Sequence, residues 1–396
     1  MKSIVLSVAV LVFSSFASAQ TILRDDGGVE QTPAASTIPF LEGTDVFWTV
    51  YGESALEDRF WPYRLEADLF PHLVVQQDYT KLLDVDRQET AVASGRGLKR
   101  FAYAISGTPA VRLRMLRSAS APVRTPSYMP RGNFQVFWLD LPEGDRRALE
   151  SRPSARAQPQ SPQEMQTMRA AARAAIAEIS TIRFWEGHVI VGHHSNGQEG
   201  CITREQERDP DSTECVPAGI PVTLDTINEY DGSFSTNYVR IGVNHVRYRL
   251  GGTTDPDTGL KPATREARIG AEFEYHPRSW VDEDIVELMG RARVRGRAAY
   301  AWRGIGFCGK RLEAEAGLTW NPGVTDGLDE LSAFGQLSCF PAISGGWGFF
   351  VRVYDGQDYY NIGFLRSITR LHVGLTFNQT DWFRFRRRSP DDAASR

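Results

Sequence analysis

The sequence lacks several things that would settle its class at once. It has no excess of charge of either sign: 45 Lys and Arg stand against 49 Asp and Glu, a formal net charge of -4 over 396 residues. A surface built for nucleic acid needs a strongly basic balance to neutralise phosphates, so nucleic acid is excluded as the main partner. Past the N-terminus it has no uncharged apolar run of the ~20 residues that a membrane-spanning helix requires, and 24% of its residues are charged. A bundle of membrane helices is thereby excluded. A β-barrel is not, because barrel strands back an apolar face with a polar one. It has no repeat of solenoid period and no G-x-S-x-G elbow, which rules out a soluble α/β hydrolase. Cysteine is scarce, with four residues, whereas 35 Gly, 21 Pro and 11% aromatics favour turns and strands over long helices.

Residues 1–19 read as a signal peptide. Lys2 supplies the charged start, Ile4 to Phe13 a short apolar stretch, and Ala17-Ser18-Ala19 a small-residue cleavage site before Gln20. The mature chain is then exported to a compartment where cysteines oxidise. An even count allows three pairings. Cys201 with Cys215 would close one polar loop, and Cys308 with Cys339 would flank a hairpin centred on 321–327.

Period-two alternation dominates the remainder. Trp185, Val189 and Val191 share one face of a strand whose other face carries Glu186, His188 and His194. Val239, Ile241 and Val243 oppose Arg240, Gly242 and Asn244, and the same contrast recurs at 347–353 and 371–377. Such alternation is a strand signal, and polar faces rich in Arg, Asn, His and Gly suit a wet lumen better than a packed sandwich. Strands are expected near 44–52, 59–70, 99–118, 126–140, 181–196, 234–250, 265–278, 286–302, 309–320, 330–340, 346–355 and 358–377. The even number predicts an all-β fold, a 12-stranded antiparallel transmembrane β-barrel over 20–383. A secreted β-sandwich is the soluble rival.

Three segments interrupt the pattern. In the insert 141–180, Ser161 reads as an N-cap, Pro162 as the first helical residue and Glu164 as the reciprocal partner of a capping box. Met165, Met168, Ala172, Ile176 and Ile179 follow at helical spacing. This periplasmic helix serves either as a docking element or as packing on the barrel's own rim. Residues 199–232, with nine Asp or Glu against two Arg, read as an extracellular acidic loop. Residues 384–396 form a charged tail.

The chemistry concentrates at His193-His194-Ser195-Asn196-Gly197. A serine hydroxyl needs a base within reach to become a nucleophile, and residues two apart on a strand share a face about 7 Å apart at Cα. His193 and Ser195 therefore point together, on the face of Val189 and Val191, whereas His194 points into the lumen. On the next strand Asn237 shares the face of Val239. An antiparallel neighbour can bring it beside His193, where its side-chain oxygen would fix the imidazole tautomer.

These motifs resemble the outer membrane phospholipase A family. The H-x-S-N-G signature stands at 193–197 and the S-x-S-x-N segment at 233–237. A preceding segment runs from Ser120 through Pro122, Arg124 and Tyr128 to Pro130. Asp284-Ile285 to Met289-Gly290 and Asp358-Tyr359-Tyr360-Asn361 also look familial. The matches cover about 100–383 discontinuously. The resemblance implies a twelve-stranded barrel in the outer membrane of a Gram-negative bacterium and calcium-dependent hydrolysis of glycerophospholipid acyl esters. It implies a homodimer as the active form. By position, His193 is the base, Ser195 the nucleophile and Asn237 the orienting residue. Calcium (Ca2+) would be held by Ser233, the carbonyl of Gln198 and Ser120 of the partner subunit, with Asp282 in a monomer site. The ion and the Ser195 amide would stabilise the oxyanion. Three departures stand out. Gln198 replaces the family's usual Arg, the acidic insertion separates motif halves that lie closer in the family, and the polar partner of the orienting Asn has no clear match. Arg112 and Arg114 are candidates for that partner by proximity. The rivals are a lipid A deacylase, which uses a carboxylate third member on a smaller barrel, and a non-catalytic barrel serving as pore or adhesin.

Overall fold

The computed structural model describes residues 21–23, 29–31, 44–54, 63–70, 72–79, 82, 85–94, 98, 100–116, 123–150, 161–195, 235–253, 261–281, 290–309, 311–324, 329–341, 347–357 and 367–377. The expected signal peptide, the acidic loop with Cys201 and Cys215, and the charged tail lie outside these residues.

The expected all-β architecture is borne out. A short hairpin pairs β1 (Thr21–Leu23) with β2 (Val29–Gln31). The main sheet is antiparallel throughout. Its strands are β3 (Thr44–Ser54), β4 (Tyr63–Leu69), β5 (Leu73–Gln77), β6 (Phe101–Leu116), β7 (Val123–Asp140), β8 (Thr181–Ser195), β9 (Ser235–Leu250), β10 (Ala263–Tyr275), β11 (Ala292–Trp302), β12 (Arg311–Trp320), β13 (Leu331–Phe340), β14 (Trp347–Gln357) and β15 (Ser367–Phe377). Each long strand from β6 to β15 pairs with the next; β15 pairs with β3, β3 with β4, and β4 with β6. The strand expected at 59–70 forms as β4, and β5, which the alternation did not predict, follows it end to end along β6. Pro71 stands between them in the sequence, and proline cannot donate to a ladder. Counting β4 and β5 as one stave gives the twelve that the alternation predicts.

The two faces separate as the alternation requires. Val189, Val191, Ile241, Val243, Ile269, Phe273, Leu337, Phe349, Val351 and Val353 are exposed on the outside. Large apolar side chains can be left outside in such numbers only where the solvent is hydrocarbon. Aromatics border this zone. Phe101, Trp138 and Trp185 form one cross-strand row, and Tyr128, Tyr275, Trp280 and Trp320 are exposed toward the opposite end. Trp138 and Tyr128 are ten residues apart on β7, roughly 33 Å along a strand and about 25 Å once tilted as barrel strands are, which is the height of a membrane barrel's apolar band.

The inside is charged and cross-linked. Glu274, fully buried, accepts from Arg240 at 2.7 and 2.9 Å, from Arg293 at 2.8 Å and faces Arg295 at 3.1 Å. Glu186 accepts from Gln135 at 2.8 Å and Asn244 at 2.7 Å, with His188 at 3.0 Å. A buried carboxylate is tolerated only with such compensation.

Helices gather at one end of the sheet: α1 (Val85–Ala93), α2 (Glu143–Glu150) and α3 (Pro162–Ala177). Ser161 caps α3, its hydroxyl accepting from the Glu164 amide at 3.1 Å. Ala175 and Ile176 of α3, with Ile179 beyond it, bury into a cluster with Tyr79, Leu139, Ile182 and Tyr248. Arg173 clamps Glu89 of α1 through two contacts of 2.7 and 2.9 Å. Of the two readings of this helix, its apolar stripe serves packing on the chain's own rim. The Cys308–Cys339 disulfide forms as expected, with Cα atoms 5.1 Å apart. Among the described residues no helix is long and apolar enough to cross a membrane.

Candidate active site

The outward face near the helix-free end carries the candidate residues. Strands β8 and β9 pair in continuous register from Thr181↔Arg249 to Ser195↔Ser235, which sets His193 directly opposite Asn237. Burial alternates along β8 so that Trp185, Val189 and Val191 are exposed, His193 and Ser195 half-buried, and His188 and His194 buried within. Behind the site, Gly192 faces inward, and the Tyr238 ring stands only 2.4 Å from where a Cβ would be. Any larger residue there would have to displace the Tyr238 ring.

His193 Nδ1 and Asn237 Oδ1 are 2.9 Å apart. The direction of that bond follows from the other end of the amide, whose Nδ2 donates to the backbone carbonyl of Trp280 at 3.1 Å. A carbonyl can only accept, so the amide nitrogen must face Trp280 and the amide oxygen must face the imidazole. Oδ1 then accepts from Nδ1–H, and the basic lone pair falls on Nε2. That is the tautomer a general base needs.

The Trp280 carbonyl is itself held. Arg278–Trp280 form a single 3-10 turn closed by Trp280 N–H donating to Pro277 O at 2.8 Å. Val281 bridges to Thr236. On the inner side of β9 the Thr236 hydroxyl lies 2.7 Å from His276 Nδ1, and His276 Nε2 lies 3.2 Å from Glu274. The turn is therefore tied to β9 on both sides of the sheet. Sequence reasoning missed Trp280 because its contribution is a main-chain oxygen, which every residue type possesses. Arg112, a candidate for that role, is instead engaged with Asp68, Nη2 to Oδ2 at 2.8 Å, and Arg114 pairs in register with Glu66 and Arg124 on neighbouring strands. These arginines sit on β6, three strands from the β9 that carries Asn237.

Ser195 completes the face without completing the relay. It lies opposite Tyr128 and Ser235, and among the described residues no hydrogen bond joins its hydroxyl to His193. Catalytic hydrogen bonds often tighten only once substrate is bound. The structure thus joins two of the three candidate residues and sets the third one pleat along the same face. The register with Tyr128 puts the serine at the height of the aromatic border.

The ladder between β7 and β8 skips two rungs beside His193. Tyr128 pairs with Ser195 and Arg131 with Gly192, and the positions between them are unpaired. Pro130 occupies that gap, where it has no N–H to give. An open groove of about 640 Å³ lies here, lined by His193, Asn237, Val191 and Trp280 among others.

The expected calcium ligands Ser120, Gln198, Ser233 and Asp282 all lie outside the described residues. Among the described residues no cluster of three or more His, Cys, Asp or Glu is placed to hold a metal.

No family model matches the chain, and no curated protein matches it in sequence. Among solved structures, the chain is similar to outer membrane phospholipase A from Escherichia coli at 13% identity, over 85% of this chain and 97% of that one, with a TM-score of 0.41. It is similar to the Salmonella typhi outer membrane phospholipase dimer with bound calcium at 13% identity, over 86% and 93%, with a TM-score of 0.40. It is also similar to the translocator domain of the autotransporter NalP from Neisseria meningitidis at 9% identity, over 85% of each chain, with a TM-score of 0.27. At such identities the likeness concerns fold alone.

Proposed function

We propose that this protein hydrolyses acyl esters of glycerophospholipids in the outer membrane of a Gram-negative cell, with Ser195 as nucleophile, His193 as base and Asn237 as orienting residue. The observation that carries the reading is the 2.9 Å contact between His193 and Asn237 on the outward, hydrocarbon-facing side of the sheet. A hydrogen-bonded polar pair on that face is costly unless it is used. The height supports the same substrate. Aromatic borders mark the boundary between hydrocarbon and headgroups, and that boundary is where the esters of a phospholipid lie.

In this reading the Ser195 hydroxyl attacks the ester carbon as its proton passes to His193 Nε2. Asn237 Oδ1 holds Nδ1–H throughout, so that the ring keeps its orientation as it becomes imidazolium. The imidazolium returns the proton to the departing lysolipid oxygen, leaving an acyl-serine. Water, deprotonated by the same nitrogen, then releases the fatty acid. Asn rather than Asp in the third position orients the ring without placing a fixed negative charge at the lipid boundary.

Calcium and dimerisation belong to the proposal. Ser233, Gln198 and Ser120 of a second copy offer oxygen donors, the kind a hard cation takes, with Asp282 as a donor for a monomer. Bound there, the ion would supply positive charge for the oxyanion.

The test is product analysis on a defined phospholipid and on lipopolysaccharide, with and without EDTA. Wild type should release fatty acid from phospholipid, and Ser195→Ala should not. Release from lipopolysaccharide alone would replace the substrate class, and activity retained by Ser195→Ala would end the assignment. Turnover indifferent to EDTA would remove calcium and leave the three side chains in place.

A further inference from the structure

From the outward face of β8, β9 and β10 at the helix end we infer a binding site for the headgroup of an anionic phospholipid, formed by Arg183, Arg247, Arg249 and Arg265. It lies at the border opposite the one that carries Ser195, and it depends on the barrel and not on the hydrolase reading. Arg183 is the cross-strand partner of Arg247, and Arg249 that of Arg265. By the two-residue alternation all four share the face of Val189, Val243 and Ile269. Arg247, Arg249 and Arg265 are exposed.

Like charges set directly opposite one another destabilise a sheet, and here two such pairs occupy successive outward rows. Asp140 stands 3.7 Å from Arg183. Among the described residues Arg247, Arg249 and Arg265 form no ion pair, so four guanidinium groups face one carboxylate. The cluster is also local. At the same end the outward positions of β12 to β15 close with Leu312, Cys339, Trp347 and Phe377, the last two rings 4.9 Å apart. A general need for positive charge at this border would have spread it around the sheet.

The height decides the occupant. The aromatic row of Phe101, Trp138 and Trp185 marks the hydrocarbon edge, and His245, opposite Trp185, packs on its ring at 4.3 Å. Arg183 and Arg247 lie two residues beyond that row, and Arg249, with Arg265 opposite, lies four beyond. These offsets are roughly 7 and 13 Å along the strands, or about 5 and 10 Å once tilted. The headgroup layer of one leaflet begins at the hydrocarbon edge and is roughly 5–8 Å deep. A phospholipid whose chains lie against the apolar band therefore brings its phosphate to the arginines. Guanidinium forks match phosphate oxygens two at a time. A lipid of net negative charge relieves the repulsion within the pairs, whereas a zwitterionic one carries its own cation to them. The shared chemistry is phosphate recognition, and the band of apolar side chains leading into the cluster points to a lipid as its source.

The experiment titrates delipidated wild type in neutral detergent with phosphatidylglycerol, phosphatidylcholine, lipopolysaccharide and inorganic phosphate, and counts bound molecules by native mass spectrometry. Wild type should hold phosphatidylglycerol about tenfold more tightly than phosphatidylcholine. Arg247→Gln, Arg249→Gln and Arg265→Gln combined should weaken phosphatidylglycerol about a hundredfold, at about fivefold per arginine. The corresponding triple Lys variant, which keeps the charge and loses the forks, should fall between. Equal affinity of wild type and the triple Gln variant for phosphatidylglycerol would overturn the site. So would equal affinity of wild type for the two phospholipids, or inorganic phosphate bound as tightly as the lipid. Lipopolysaccharide held more tightly than phosphatidylglycerol would overturn it as well, by placing the cluster in the outer leaflet.

Discussion

Strand β8 carries two histidines five residues apart whose surroundings are opposite. His188 points inward, with the carboxylate of Glu186 at 3.0 Å and Glu272 at 3.6 Å, in a buried network that also holds Arg240. His193 points outward, half-buried, with the neutral amide of Asn237 as its partner. A His–carboxylate contact looks more like a catalytic dyad than a His–amide contact does. Yet the inner pair is closed in by side chains, and the outer pair lines an open groove at the height where lipid esters lie. The difference teaches how one sheet divides its labour. Carboxylates are retained where arginines from neighbouring strands can compensate them. On the hydrocarbon side, where a bare charge is expensive, an amide does the orienting.

That contrast makes a largest and sharpest claim: outward variants should remove rate, and inward variants should remove stability. His193→Ala should lower kcat on phospholipid by about 10^4-fold, whereas His188→Ala should leave kcat near wild type; initial rates on folded protein decide, and the reverse pattern would invert the comparison. Next in size is the inner network. Glu274→Ala strands Arg240, Arg293 and Arg295 around a lost carboxylate and should cost about 3–5 kcal/mol, read from urea unfolding in detergent, with kcat of the folded fraction unchanged. An unaltered midpoint would show that these ion pairs do not hold the sheet. Asn237→Ala should lower kcat about 10^2-fold with little change in KM, because the base loses its orientation and keeps its nitrogen. Equal losses from Asn237→Ala and His193→Ala would mean that the amide does more than orient. The smallest effect belongs to the rim helix: Ser161→Ala should cost about 1 kcal/mol through the lost cap, seen as a shift of the same midpoint without any change in rate.

Much of the site was legible before any coordinates. Alternation along 181–195 and 237–243 assigns each side chain to a face, and pairing β8 with β9 then makes His193 and Asn237 neighbours. The capping sequence Ser161-Pro162-Gln163-Glu164 announced α3 for an equally local reason. Strand β5 was not read at all, since the expected strand stopped at 70 and Leu73-Val74-Val75-Gln76-Gln77 lacks strict alternation. The partners within the lumen were not legible. That the inner face is polar follows from period two, whereas the convergence of three arginines on Glu274 depends on which strands adjoin and at what stagger.

The sequence alone determined the strands, their faces and the identity of the polar residues set among lipid-facing ones, because these follow from a two-residue period that needs no distant information. Only the tertiary structure decided that a turn between β10 and β11 returns its Trp280 carbonyl to Asn237, and that arginines of β8, β9 and β10 meet in opposed pairs. Both depend on where separate stretches of chain come together, and neither a main-chain oxygen nor a single arginine says in the sequence what it will face.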